Sequence, residues 1–160
     1  MSESVSILLP EAVYAVFDTS RDGLPAIVIV NQSLLSFPHS EIFAWRLSLS
    51  IEAAELADNG MPTPEESAFL SAMSERFEDT VLGGLTPTGA VNALFLARST
   101  WNGWRDIHFY VHNPEIAHLA LQALLNTGYE DRPWSYSMEE DADWSLGGQF
   151  FQFFAPQDRS

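Results

Sequence analysis

The stretch Phe43-Ala44-Trp45-Arg46-Leu47-Ser48-Leu49-Ser50-Ile51 alternates large apolar residues with small or polar ones. Successive side chains of a β-strand point to opposite faces of a sheet, so this alternation predicts a strand with one buried face. A turn signal follows at Asp58-Asn59-Gly60-Met61-Pro62. The strand is therefore the reference from which the neighbouring elements are placed.

A helix is predicted directly after that turn. Thr63 supplies an N-cap, Pro64 suits the first helical position, and Glu66 completes a capping box. Gly83-Gly84 is a stop signal for the same helix. Apolar residues at four-residue spacing indicate its buried side, and they are Phe69, Met73, Phe77 and Val81.

A strand pair and a second helix come next along the chain. Asn102-Gly103 lies between the predicted strands Val91–Thr100 and Arg105–His112, and Asn-Gly is a strong signal for a tight hairpin. A helix is predicted from Asn113-Pro114 to Gly128, and a short strand at Trp134–Met138. The predicted buried side of this helix consists of Ile116, Leu119, Ala120, Ala123 and Leu124.

The order of elements from Phe43 onward is strand, helix, strand, strand, helix, strand. That order predicts an α+β fold, a ferredoxin-like split βαβ sandwich with two helices on one face of an antiparallel sheet. A hairpin of Val13–Phe17 and Ala26–Val30 would extend this sheet or cover an edge. We expect one domain over residues 1–160, with the hairpin extension at 1–35, a βαββαβ core at 43–138, and an acidic turn and aromatic tail at 139–160. The tail, Trp144–Phe154, could be a helix capped by Asp141 or Asp143.

Charge is the most distinctive bulk property of the chain. Seven Lys and Arg against 22 Asp and Glu give a formal net charge of −15, and every basic residue is an arginine. Such a chain should repel nucleic acid and anionic membranes, because phosphate contacts need clustered positive charge. It could attract a basic protein surface, or its acidity could serve solubility alone.

The composition also restricts compartment and cofactors. No apolar run approaches the roughly 20 residues of a membrane span, and no basic segment precedes a signal-like stretch. The absence of cysteine removes disulfides, thiolate metal sites and cysteine nucleophiles, and it fits the cytoplasm. We expect no cofactor and no metal, and the sequence leaves the oligomeric state open.

No catalytic motif stands out. The chain has no Gly-x-Ser-x-Gly elbow, and neither Gly83-Gly84 nor Gly147-Gly148 has the spacing of a phosphate-binding loop. His108 and His112 share a face of one predicted strand, but residues four apart on a strand are about 13 Å apart, too far for one metal ion. The sequence therefore favours a protein without catalysis, and leaves open an enzyme or small-ligand site using Asp106, His108 or Tyr110.

The last third of the chain is where acids and aromatics are interleaved. Aromatic side chains provide contact area at protein interfaces and acids provide steering, although the aromatics could equally point into the core. A hairpin tip with two tryptophans, Trp101 and Trp104, could be exposed for recognition or assembly, or could fold back against the sheet with Arg98 or Arg105 stacked on a ring. The candidate partner-binding residues are Glu130, Asp131, Trp134, Tyr136, Glu139, Glu140, Asp141, Asp143, Trp144, Trp101 and Trp104.

Several short motifs, taken in their order, resemble the bacterial family called domain of unknown function 695. They are Asp22-Gly23-Leu24-Pro25 before an apolar strand and Asn31, Asn59-Gly60-Met61-Pro62-Thr63 with Glu65-Glu66, Arg98-Ser99-Thr100 before Asn102-Gly103, Phe109-Tyr110-Val111, and Asp141-Ala142-Asp143-Trp144. The resemblance covers about Val13 to Pro156 and implies an α+β fold without an established activity. It also suggests a similarity in kind to the RNase E regulator B family, small acidic ferredoxin-like proteins that inhibit by binding.

Together these observations predict an acidic protein-binding module. The expected role is an inhibitor or regulator of a basic protein partner, for example an immunity protein that neutralises a bacterial toxin. The alternative is an enzyme or small-ligand binder with a site on the paired strands.

Overall fold

The computed structural model describes residues 9–129 and 131–154. It is a mixed α/β fold with a six-stranded antiparallel sheet and three α-helices. The strands are β1 (Tyr14–Arg21), β2 (Leu24–Asn31), β3 (Trp45–Glu52), β4 (Ala93–Trp101), β5 (Trp104–Val111) and β6 (Trp134–Glu140). The helices are α1 (Pro64–Leu82), α2 (Pro114–Asn126) and the short α3 (Gly148–Phe151).

The strand order in the sheet is β1-β2-β4-β5-β3-β6, so β1 and β6 form the two edges. Both predicted hairpins are confirmed, and in the first the strands run on to Arg21 and from Leu24, so its turn is tighter than the predicted strand ends imply. Asp22-Gly23 joins β1 to β2 with φ values of 52° and 79°, and Asn102-Gly103 joins β4 to β5 with 46° and 86°. Two positive φ values in succession suit the right-handed twist of the flanking strands, which is why Asp-Gly and Asn-Gly occur there. The N-terminal hairpin extends the sheet, because β2 pairs with β4.

Helices α1 and α2 cover one face of the sheet. Their buried residues share a single core with apolar residues of β3, β4 and β5. In α1 the predicted stripe is right except at Phe69, which is 36% exposed, while its neighbour Leu70 is fully buried. The buried positions of α1 follow Leu70, so Phe69 lies one step around the helix at its solvent edge. There the guanidinium of Arg132 stacks on its ring at 4.2 Å.

The predicted buried side of α2 is wrong in part. Leu119 is 58% exposed and Ala123 is exposed. The buried residues are Ala117, Leu121 and Leu124, which follow a regular i, i+4, i+7 stripe. At about 100° per residue, Leu119 then points away from that stripe.

The chain beyond β6 covers part of the opposite face. Trp144 and Phe150 join a second core with Val28 and Val30 of β2 and with Tyr110 of β5. The central strands are therefore buried on both faces.

The caps predicted for the aromatic tail are not those of α3. This helix begins at Gly148 without a side-chain cap. Asp143 and Asp141 instead accept hydrogen bonds from the backbone nitrogens of Ser145 and Leu146, at 3.1 and 2.9 Å. These carboxylates stabilise the turn that precedes the helix. The two glycines at the start of α3 disfavour helical structure, so the helix does not begin earlier.

A buried carboxylate, Glu66, ties three segments together at the start of α1. Thr63 accepts from the Glu66 nitrogen at 3.3 Å, which confirms the N-cap. The Glu66 side chain does not complete the capping box. It accepts from the Ala54 nitrogen at 2.6 Å and from two nitrogens of Arg132 at 2.8 and 2.6 Å. Hydrogen bonds from Arg132 and Ala54 outweigh burial and lower the pKa of Glu66 from its ordinary 4.5 to about 2.

We predict that Glu66→Gln destabilises the fold by about 2 kcal/mol at pH 7, because it removes the charge from a buried, doubly bonded pair. The pKa of Glu66 is lower in the folded state than in the unfolded state. The stability that its ionised carboxylate contributes is therefore complete above pH 4.5 and is lost as the pH falls toward 2. Urea unfolding of both proteins across this range measures the difference. Glu65→Gln, which changes an exposed acid in the same turn, is the control. A difference between wild type and Glu66→Gln that stays constant from pH 7 to 2 would contradict the assignment.

Candidate functional site

Strand β6 carries four of the eleven predicted partner-binding residues, and it is an edge strand that pairs with β3 alone. Glu139 and Glu140 are exposed at its end, and Asp131 is exposed just before its start. Glu130 lies outside the described residues. The exposed acids thus lie along a strand that has one free hydrogen-bonding edge.

The two aromatic residues of β6 face the helices. The Trp134 ring lies 4.5 Å from that of Phe77 in α1, and its indole nitrogen donates to the Tyr129 carbonyl at 2.7 Å. The Tyr136 hydroxyl hydrogen-bonds with Gln122 and His118 of α2, at 2.7 and 2.8 Å. Both side chains are half-buried and fix β6 against the helices, while Ser135, Ser137, Glu139 and Glu140 are exposed.

Asp141 and Trp144 are each only 6% exposed. The Trp144 ring stacks on Tyr110 at 4.3 Å, and its indole nitrogen donates to the Phe43 carbonyl at 2.8 Å. The Tyr110 hydroxyl donates to Asp141 at 2.6 Å and accepts from the Gly147 nitrogen at 3.0 Å. Burial, and then Asp141, raise the pKa of Tyr110, which keeps the phenol protonated.

This cluster attaches the C-terminal segment to the second face of the sheet. A Cβ atom on Gly147 would lie 2.6 Å from the Tyr110 hydroxyl oxygen, so the close approach requires glycine. Since Asp141 and Trp144 are enclosed, an exposed partner surface does not include them. Asp143 remains exposed, and hydrogen bonds from Ser145 lower its pKa.

The tryptophans of the β4–β5 hairpin differ in exposure. Trp104 is 42% exposed, whereas Trp101 is half-buried and its indole nitrogen donates to the Arg21 carbonyl at 2.9 Å. The Arg21 guanidinium stacks on Trp101 at 4.6 Å. The predicted stacking partners, Arg98 and Arg105, are therefore wrong. The long-range pairing of β2 with β4 brings the tip of the first hairpin to Trp101. The sequence of neither strand alone predicts the contact between Arg21 and Trp101.

A cavity of about 330 Å³ opens on the sheet face opposite α1 and α2. Asp106 and His108 of β5 line it, with Val28, Trp101 and Phe150 among its walls. The His108 ring nitrogen Nδ1 lies 3.1 Å from the Ser48 hydroxyl. Tyr110, the third residue of the alternative ligand site, belongs to the cluster around Asp141 instead.

Burial shifts the pKa values of both Asp106 and His108, which line this cavity. Burial raises the pKa of Asp106, although the Ser50 hydroxyl and the Arg21 charge oppose this. Burial, followed by the positive charge of Arg46, lowers the pKa of His108 to about 4. His108 is therefore neutral at pH 7 and can act as a hydrogen-bond donor or acceptor.

The potential metal ligands of residues 9–129 and 131–154 do not cluster. No group of three His, Cys, Asp or Glu side chains in these ranges could hold a metal ion. His112, the second histidine of the strand, contacts the Ile42 carbonyl at 2.7 Å.

We predict that Tyr110→Phe lowers the free energy of unfolding by about 2 kcal/mol, because it leaves a buried carboxylate and a buried N–H without their shared partner. Urea denaturation at pH 7 measures the change. Tyr14→Phe is the matched control, since Tyr14 is 57% exposed. Equal stabilities of the two variants would contradict a role for the Tyr110 hydroxyl in holding the C-terminal segment.

The comparisons with known proteins bear on the whole chain. No helix among the described residues is long and apolar enough to cross a membrane. No curated protein and no solved structure matches the sequence. The model of a family of unknown function, DUF695, matches residues 14–154 and confirms the resemblance seen in the short motifs. The match covers most of the chain, and the chain therefore belongs to the family of unknown function DUF695.

Proposed function

We propose that this chain is a non-catalytic, acidic protein-binding module of the bacterial cytoplasm that inhibits or regulates a basic protein partner. An immunity protein that neutralises a toxin is one concrete form of this role. The observation that carries the proposal is the use of the arginines. Each of the six within the described residues contacts another side chain of the chain: Arg21–Trp101, Arg46–Glu139, Arg76–Tyr129, Arg98–Glu78, Arg105–Thr100 and Arg132–Glu66.

Arg21 and Arg76 stack on neutral rings and stay exposed, but 22 acids against seven arginines leave the surface predominantly negative. The net charge of −15 therefore favours and accelerates encounter with a basic surface. We propose that β6 and the acids around it receive the partner, and we call this the β6 surface: Asp131, β6 itself with Glu139 and Glu140, and Asp143. Its free backbone edge allows a partner strand to pair, and its acids select a basic one.

We predict that the triple variant Asp131→Asn, Glu139→Gln, Glu140→Gln loses the partner. Charge neutralisation at the β6 surface removes steering and attraction, so affinity should fall at least roughly tenfold at low salt. The partner is first captured from a lysate of the source cells with the full chain. Affinity is then measured with the purified partner at increasing salt, which should weaken the wild-type complex.

The control removes the same charge from elsewhere. Glu65→Gln, Glu75→Gln, Asp79→Asn changes three exposed acids of α1 and should leave affinity within about threefold of wild type. Equal losses in both triple variants would show that bulk charge, and no particular surface, governs capture. A salt-insensitive complex would contradict the electrostatic mechanism.

A second candidate function is favoured by the cavity over Asp106 and His108. It is concave, and the pKa values of both side chains are shifted by burial, which is typical of ligand-binding and catalytic sites. This candidate is a small-ligand binder or an enzyme acting on a small polar molecule.

We predict for this candidate that a ligand found by thermal screening of small metabolites raises the melting temperature of the wild type by roughly 4 °C near ten times its Kd. Asp106→Asn should abolish the shift. Asp18→Asn, an exposed change on β1, should preserve it. An equal rise in melting temperature for wild type and Asp106→Asn would show that the ligand does not bind at Asp106.

We also propose a finer description of the fold. The part from β3 to β6 is a ferredoxin-like split βαβ sandwich. The order β4-β5-β3-β6, with α1 between β3 and β4 and α2 between β5 and β6, supports this description. The similarity in kind to the RNase E regulator B family stays a hypothesis that rests on the same architecture and on acidity.

A further inference from the structure

A second cavity lies on the helix-covered face of the sheet, at the half formed by β2, β4 and β5. Its volume is about 410 Å³ and it extends to the start of α1. Two arginines line it, Arg98 of β4 and Arg105 of β5. In a chain with seven basic residues, two at one small cavity form a local exception to the acidic surface.

Arg105 is a buried cation without a carboxylate partner. It is 6% exposed, and its hydrogen bonds go to hydroxyls: to Thr100 at 3.0 Å, and to Ser71 and Ser74 at 3.4 Å each. Among the described residues no Asp or Glu forms a salt bridge with it. Burying a guanidinium is costly unless an anion accompanies it. Burial, with the nearby charge of Arg98, accordingly lowers the pKa of Arg105 to about 10.

The charges around this cavity do not balance. Arg98 pairs with Glu78 at 3.1 Å, and the charges of both arginines act on that carboxylate. Burial raises the pKa of Glu78, which shows that even this carboxylate is partly desolvated. Two guanidinium groups against one carboxylate leave one positive charge, so a single negative charge would complete the cluster.

The remaining walls indicate what should carry that charge. The hydroxyls of Thr100 and Ser71 hydrogen-bond with Arg105, and Ser67 lines the same cavity. The apolar residues of the lining are Ile27, Ile29, Met61, Pro62 and Pro64. A guanidinium fork matches a carboxylate, and an apolar wall favours a short hydrocarbon group over water.

We propose that this cavity binds the monocarboxylate of a small organic acid, with the carboxylate beside Arg98 and Arg105 and the hydrocarbon part against Ile27 and Ile29. The site lies on the half of the sheet away from β6. Its occupation therefore does not depend on the β6 surface, and either proposal can fail without the other.

The test is isothermal titration of the full chain at low salt with butyrate, benzoate, inorganic phosphate and, as the uncharged isostere, butyramide. We expect saturable binding of butyrate or benzoate at millimolar concentration or tighter, and at least roughly tenfold weaker binding in Arg105→Gln. Arg76→Gln, which changes an exposed arginine of α1 outside the lining of both cavities, is the matched control and should bind like wild type. Isoleucine methyl resonances of the wild type give a readout that needs no variant, since Ile27 and Ile29 should shift on binding.

Three results would overturn the proposal. One is butyramide binding as tightly as butyrate, which would show that the negative charge of the ligand does not contribute to binding. Another is phosphate binding more tightly than either carboxylate, which would replace the proposed ligand class. The third is the absence of any shift at Ile27 and Ile29 up to high millimolar benzoate.

Discussion

Scarcity of positive charge is the constraint on which this structure depends. With 22 acids and seven arginines, the chain cannot neutralise most of its carboxylates. The few arginines are instead used in contacts that hold segments of the fold together. Arg132 holds the buried Glu66 against the Ala54 backbone, which ties α1 to the segments before β6 and after β3. Arg21 joins the tip of the first hairpin to Trp101. The 22 acids so outnumber the arginines that the net charge stays strongly negative, and repulsion among those acids makes association with a basic partner favourable.

The second constraint is that the central strands must be covered on both faces. Helices α1 and α2 provide one cover, and the chain beyond β6 provides the other. This second cover is short and contains two glycines, so its own helical propensity is weak. Tyr110 compensates by presenting a hydroxyl to Asp141 and Gly147 at once, under the stacked ring of Trp144. A buried polar group with all its partners fixes one geometry, which explains why acids and aromatics near the C-terminus serve the fold.

Sequence reasoning succeeded where the signal was local and failed where it depended on tertiary placement. Both hairpins were predictable, because Asp22-Gly23 and Asn102-Gly103 adopt the positive φ values that tight turns demand. The helices were predictable from their caps and prolines. By contrast, Asp141 looked like one member of a solvated acidic run, and only the packing of the C-terminal segment buries it. The burial of Arg105 was not predictable either, since an arginine in a strand is expected to be exposed unless the position of the covering helix is known. The two cavities depend on pairings far apart in sequence and could not be predicted.

Three regions of the molecule differ in chemistry: an acidic edge at β6, a cavity lined by Asp106 and His108, and a cationic cavity at Arg98 and Arg105. We propose that a basic partner docks at the first of these, the acidic edge. Hydrogen–deuterium exchange of the chain, alone and with its captured partner, tests this docking, because a strand that gains hydrogen bonds exchanges more slowly. We expect slowed exchange in peptides that cover residues 134–140, with β1 at the opposite edge unchanged. Slowing confined to peptides outside β6 would contradict it.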